Sequence, residues 1–154
     1  MDISPRFRIV VGVDGSRQSL LALEWALSEA RLRQGRLRMV TGWEFPASTV
    51  GIDAPAWGRD SCTRVAEQIQ RKALSKVDVE GVEIDRQVGE GSAAAVLLAA
   101  AADADLLVVG SRGHGGFRRL LLGSVSSQIV HHARCPVLIV RPRPVRPSAT
   151  DPDT

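Results

Sequence analysis

Cysteine is scarce in this chain, lysine is nearly missing, and a long apolar run is missing altogether. Only two cysteines, Cys62 and Cys135, occur in 154 residues. Neither has a partner at metal-ligand spacing, so reduced thiols acting as small hydrophobes are expected. No run approaches the roughly eighteen consecutive apolar residues of a membrane-spanning helix. The opening Met-Asp-Ile-Ser-Pro-Arg lacks the apolar core of a signal peptide, and a cytoplasmic location is the expectation. Eighteen arginines stand against two lysines, with a net charge of +3. They are scattered rather than clustered, which reads as a solvated surface; nucleic acid is not expected as a partner, and neither is a membrane. Two catalytic classes are also missing their signatures. No Gly-x-x-x-x-Gly-Lys-Ser/Thr run exists, which excludes the P-loop ATPases. No Ser-His-Asp arrangement in a known motif context appears, and His131 and His132 are adjacent, so on a helix they cannot share a metal ion.

What is present is alternation. Short aliphatic runs separate longer segments with helical periodicity, the pattern of one α/β domain built on a parallel sheet. Strands are expected at Phe7 to Val13, Arg36 to Trp43, about Val82 to Val88, Leu106 to Gly110 and Pro136 to Arg141. Helices are expected after the Ser16 N-cap, over Ser61 to Lys76 with Val65, Ile69 and Ala73 on one face, over Ser92 to Ala102, and over Arg118 to His132, starting as a loose turn before Gly123. Pro46, Gly51, Pro55 and Gly58 make 43–60 a long loop, and the Pro-rich tail, 142–154, is expected to be disordered. The domain proper is 1–141. The first and fourth strands are continuous aliphatic runs, as central strands are; the third alternates like an edge. The expected architecture is therefore a single doubly wound five-stranded sheet, order 3-2-1-4-5, with helices on both faces. Its switch point lies between the first and fourth strands, where open α/β sheets bind ligands.

Asp14 and Gly110 close those two strands. After Gly110 come Gly113, Gly115 and Gly116, then Gly123-Ser124 at the mouth of a helix-compatible run. A strand feeding a glycine-rich loop and a helix start is a phosphate cradle, because glycines let backbone N–H groups approach an anion. A different match, Gly89-Glu90-Gly91-Ser92-Ala93-Ala94, has the letters of the dinucleotide fingerprint. It stands at the third strand–helix turn rather than the first, where that motif belongs.

The spacing Gly110, two residues, Gly113, nine residues, Gly123-Ser124 resembles the phosphate loop of the nucleotide-binding universal stress proteins, and the resemblance runs from about Phe7 to Arg141. It implies a Rossmann-like fold of the adenine nucleotide alpha hydrolase-like kind and binding of ATP, with Mg²⁺ accompanying it. It also implies nucleotide contact by Asp14, backbone contact to adenine at Gly42, and a glycine near the nucleotide at Gly91. Where the family usually has proline two residues after that glycine, this chain has Ala93. Gly110, Gly113, Gly115, Gly116, Gly123, Ser124, Val125 and Ser126 complete the implied binding set.

The residues themselves leave alternatives open. Asp14 reads as a ribose-binding carboxylate or as a turn cap; Ser124 and Ser126 as phosphate ligands or as N-caps. Arg112, His114 and Arg118 read as phosphate counter-charges or as solvated side chains, and Trp43 as a base-stacking or a packing ring. No general base is evident near the loop, which argues for binding rather than turnover. The expected role is a nucleotide-dependent sensor or regulator in stress response, read by an unknown protein partner. The alternatives are a scaffold that has lost nucleotide binding and a slow ATP-hydrolysing or nucleotide-transferring enzyme. Val137 to Val140 is continuously apolar at a sheet edge, which predicts a homodimer through that strand.

Overall fold

Ile9-Val10-Val11 and Leu107-Val108-Val109 are buried on both faces, which a strand achieves only at the centre of a sheet covered by helices on each side. The computed structural model describes residues 5–45, 56–114 and 121–144, with the side chains of 56 and 57 excepted. Nine elements alternate along it: β1 (Arg8–Gly12), α1 (Arg17–Leu32), β2 (Arg36–Trp43), α2 (Ala56–Leu74), β3 (Glu83–Glu90), α3 (Ala93–Ala100), β4 (Leu106–Gly110), α4 (Ser124–His132) and β5 (Val137–Val140). The strands form one parallel sheet in the order β3-β2-β1-β4-β5. The order and the edge position of β3 are those read from the aliphatic patterns.

Two apolar layers flank the sheet. On one face α1 contributes Ala22, Leu23, Ala26, Leu27 and Ala30, and α2 contributes Ala73, against Ile9, Val11, Leu37 and Met39. On the other, α3 supplies Val96, Leu97 and Ala100 and α4 supplies Ile129, against Val10, Val40, Leu107 and Val109. Each fully buried aliphatic side chain contributes roughly 1.5–3 kcal/mol. Alternating side chains along β1 and β4 thus feed both cores. Among the described residues no helix is long and apolar enough to cross a membrane.

Three expectations need correction. The second helix begins at Ala56, not Ser61, so Gly58 lies inside it rather than in a loop. Glycine within a helix costs only about 1 kcal/mol, and the Phe45 ring lies against it, 3.5 Å from where a Cβ would stand. The rest of the expected long loop, 46–55, lies outside the described residues. The buried face of this helix is Ala66, Gln70 and Ala73, with Ile69 partly buried; Val65 is 55% exposed. The expected face was offset because Gln70, a residue that reads as solvated, is buried. The fourth helix starts at Ser124, since Leu121 and Leu122 are bends and Gly123 is an extended N-cap; 118–120 lie outside the described residues. Of the tail, 142–144 has no regular structure and 145–154 lies outside the described residues.

Candidate functional site

The C-terminal ends of β1, β2 and β4 and the start of α4 enclose a crevice of about 250 Å³. Of the expected site residues, Asp14, Gly42, Gly110, Gly113, Gly123, Ser124, Val125 and Ser126 line it. Arg112 and His114 line it too, which the sequence left open. Gly115, Gly116 and Arg118 lie outside the described residues. Gly91 is not in the lining. Its φ of +137° and its N–H donated to the Trp43 carbonyl at 2.8 Å make it a turn residue joining β3 to α3. Sequence reasoning missed Gly12, Ser19 and Leu97, whose roles follow from packing across the crevice rather than from a local motif.

Asp14 is held on every side. Ser16 N–H donates to Oδ1 at 2.8 Å, His114 N–H donates to Oδ2 at 3.4 Å, and the Asp14 N–H donates to Ser19 Oγ at 3.3 Å. Burial pushes the carboxyl up, but hydrogen bonding from Ser16, helped by Ser19 and the His114 charge, outweighs it and holds Asp14 below the usual carboxylate range. Asp14 is therefore a fixed anion at neutral pH, an acceptor with lone pairs to spare.

Across the crevice stands the start of α4. The Ser16 and Ser92 hydroxyls cap α1 and α3 by accepting from Ser19 and Ala95 N–H, whereas Gly123 gives α4 no side-chain cap. Among the described residues the first-turn N–H groups of α4 thus have neither an intrahelical acceptor nor a side-chain cap, and their residues border the crevice. Ser126 is no cap: its buried hydroxyl shares its one proton between the Ser111 carbonyl at 2.9 Å and the Gly123 carbonyl at 3.1 Å. The Ser111 carbonyl also accepts Gly123 N–H at 2.7 Å, so one oxygen pins the helix start to the end of β4.

None of Gly110, Gly113 and Gly123 has a positive φ. Close approach requires them instead. A Cβ on Gly110 would stand 2.9 Å from the Gln18 backbone carbon, one on Gly123 would be 3.3 Å from Arg112 Cα, and one on Gly113 would overlap Asp14 Oδ2. Gly42 likewise lets Ala93 Cα approach to 3.0 Å of its missing Cβ. Trp43 meets Phe45 edge-on at a centroid distance of 5.4 Å, a packing role, and it does not line the crevice. A second cavity of about 280 Å³ opens at the opposite end of the sheet, where Arg8 pairs with Asp103 and Arg38 with Asp85. Among the described residues no group of three or more His, Cys, Asp or Glu is placed to hold a metal ion.

A doubly wound α/β sheet thus sets a carboxylate and a helix start facing each other over the switch point, the place where open sheets of this class bind ligands. The sequence pattern of the Universal stress protein family matches residues 5–141, and the chain belongs to that family. It is 36% identical over 138 residues to a universal stress protein of Mycolicibacterium smegmatis, a match that covers 90% of this chain and 47% of that one. The chain spans about half the length of the curated relatives it matches. Among solved structures, UspA from Lactobacillus plantarum superposes with a TM-score of 0.73 at 22% identity, over 90% of this chain and 99% of that one. A universal stress protein in complex with cAMP superposes with a TM-score of 0.69 at 27% identity, over 89% of this chain and 98% of that one.

Proposed function

We propose that this protein binds ATP at the crevice as a nucleotide-dependent sensor or regulator in stress response. The observation that carries the reading is the opposition of a fixed Asp14 carboxylate to the uncapped start of α4. Asp14 accepts the ribose hydroxyls, as the acids of dinucleotide-binding sheets do. The N–H groups of Ser124, Val125 and Ser126 take the phosphates, helped by the helix dipole and by Arg112 and His114 beside them. Gly110, Gly113 and Gly123 keep the walls thin enough for the ligand, with Gly115 and Gly116 completing the loop. Gly42 presents backbone to the base, and Gly91 shapes the neighbouring turn. The similar protein solved with cAMP supports an adenine nucleotide as the ligand class. With Asp14 the only carboxylate in the lining among the described residues, Mg²⁺ would be held chiefly by the phosphates it accompanies. Binding rather than turnover is the activity. Mass spectrometry of small molecules released on denaturing the purified protein tests the reading: ATP or another adenine nucleotide is expected at near-stoichiometric yield. Protein that is empty, and stays empty after incubation with ATP, contradicts it and favours the scaffold.

A second copy of the chain is the proposed partner of β5. Val137, Leu138 and Ile139 are only partly buried within one chain. The Pro136 and Val140 carbonyls accept from Leu107 and Ser111 in the β4 direction. Alternation along the strand then turns the N–H and C=O of Val137 and Ile139 outward, a template for antiparallel pairing across a twofold axis.

A further inference from the structure

Gln70 is fully buried on α2, and none of its polar atoms is idle. Its Nε2 lies 2.9 Å from the Gln87 carbonyl, 3.1 Å from Thr41 Oγ1 and 3.4 Å from the Met39 carbonyl, and donates toward all three. Its Oε1 accepts from Arg86 Nε at 3.3 Å, and Arg86 also donates to the Glu67 carbonyl at 2.9 Å. Arginine can only donate, so the amide is locked with its oxygen toward Arg86 and its nitrogen toward β2 and β3. Thr41 has one hydroxyl proton. With the amide donating into its oxygen, that proton goes to the Val13 carbonyl, at 2.6 Å. The result is one directed chain, Arg86 to Gln70 to Thr41 to Val13, in which each donor polarises the next.

The chain ends on the peptide unit that joins Val13 to Asp14. Thr41 holds that unit by its carbonyl while Ser19 Oγ accepts its N–H at 3.3 Å. The plane of this peptide sets where the Asp14 side chain departs. We propose that Gln70 is a positioning residue for the ligand site: acting through Thr41, it fixes the direction of the Asp14 carboxylate without touching the ligand. The inference rests on the reading that Asp14 accepts ribose hydroxyls, and it makes the buried face of α2 part of what selects the sugar. The phosphate cradle at α4 is built on Ser111 and Gly123 and is independent of this chain of bonds.

The test titrates wild type, Gln70→Met, Thr41→Val, Thr41→Ser and the double variant Gln70→Met/Thr41→Val with ATP and with its dideoxy analogue, which lacks both ribose hydroxyls. Loss of one hydrogen-bonded link predicts that Gln70→Met and Thr41→Val each bind ATP roughly threefold to tenfold more weakly. The analogue is expected to bind all variants alike, the double variant to be no weaker than either single one, and Thr41→Ser to retain wild-type affinity. A folded Gln70→Met protein that keeps the wild-type preference for ATP over the analogue overturns the proposal, and so does equal weakening of both ligands. Should Gln70→Met not fold, Thr41→Val, isosteric with threonine, decides by the same two criteria. A wild type that binds neither nucleotide defeats the site reading. The relay is then judged in ligand-free protein from the Asp14 amide resonance: Thr41 bonds the Val13 carbonyl of that peptide directly, whereas the Gln70 side chain reaches it only through Thr41, so the Gln70→Met shift is the one that reports the relay. Displacement in Gln70→Met and Thr41→Val with the wild-type position in Thr41→Ser supports it; an unmoved resonance overturns it.

Discussion

Gly113 shows how a single hydrogen in place of a methyl group carries the site. Its backbone does not need positive φ; its missing Cβ is the space occupied by an Asp14 carboxylate oxygen. Gly113→Ala should therefore push the loop off Asp14 and weaken ATP at least tenfold, while circular dichroism shows an intact fold. Gly113→Val adds bulk to the same clash. Unchanged ATP affinity in folded Gly113→Ala protein would remove the loop from the site. Asp14 carries a pH prediction. Its carboxyl is held below the usual range, so its stabilising hydrogen bonds are in full effect above that range and are lost as pH falls through the lowered pKa. The advantage of wild type over Asp14→Ala in ATP affinity, which cancels the titration of the ligand itself, should accordingly be flat through neutral pH and decline only in acid, below the ordinary aspartate range. In Asp14→Ala the ATP affinity should be low throughout, with inorganic tripolyphosphate less affected than ATP. A wild-type advantage over Asp14→Ala that already halves between neutral and mildly acidic pH contradicts this assignment.

At the scale of elements, β5 poses the sharpest question. The Ile139 N–H points to the open edge, since the neighbouring even-numbered positions face β4. Ile139→Pro deletes that outward donor while sparing the bonds to β4. Size-exclusion chromatography with light scattering should find wild type as a dimer and Ile139→Pro as monomers or insoluble protein; a monodisperse wild-type monomer at micromolar concentration contradicts the pairing. The elements were also where sequence and structure could be compared most closely. The bounds of β2 and β4 were legible because their aliphatic runs end at abrupt polar or glycine residues. The start of α2 was not legible, because Gly58 reads locally as a breaker while the Phe45 ring that lies against it comes from another segment. Gln70 was missed for a similar reason: an amide reads as solvated until Arg86, Thr41 and two carbonyls from other strands surround it. In the loop, the glycine positions were legible but their physical cause was not, since Gln18, Asp14 and Arg112 close on them only in three dimensions. Gly91, read as a nucleotide neighbour, is a positive-φ turn residue outside the crevice lining.

For the whole molecule, the sheet order places Asp14, Gly110, Gly113 and the Gly123-Ser124 helix start on one crevice, and family membership follows from a match over residues 5–141. The chain spans about half the length of those curated relatives. The central claim is that the crevice binds ATP, and calorimetry with ATP and Mg²⁺ tests it most directly. The account predicts saturable heat with a dissociation constant in the micromolar range. It also predicts, at a hundredfold excess of ligand over that constant, about 2.7 kcal/mol of added stability, seen as a rise of several degrees in Tm. No heat and no thermal shift at millimolar nucleotide would contradict it and leave a scaffold of the same fold.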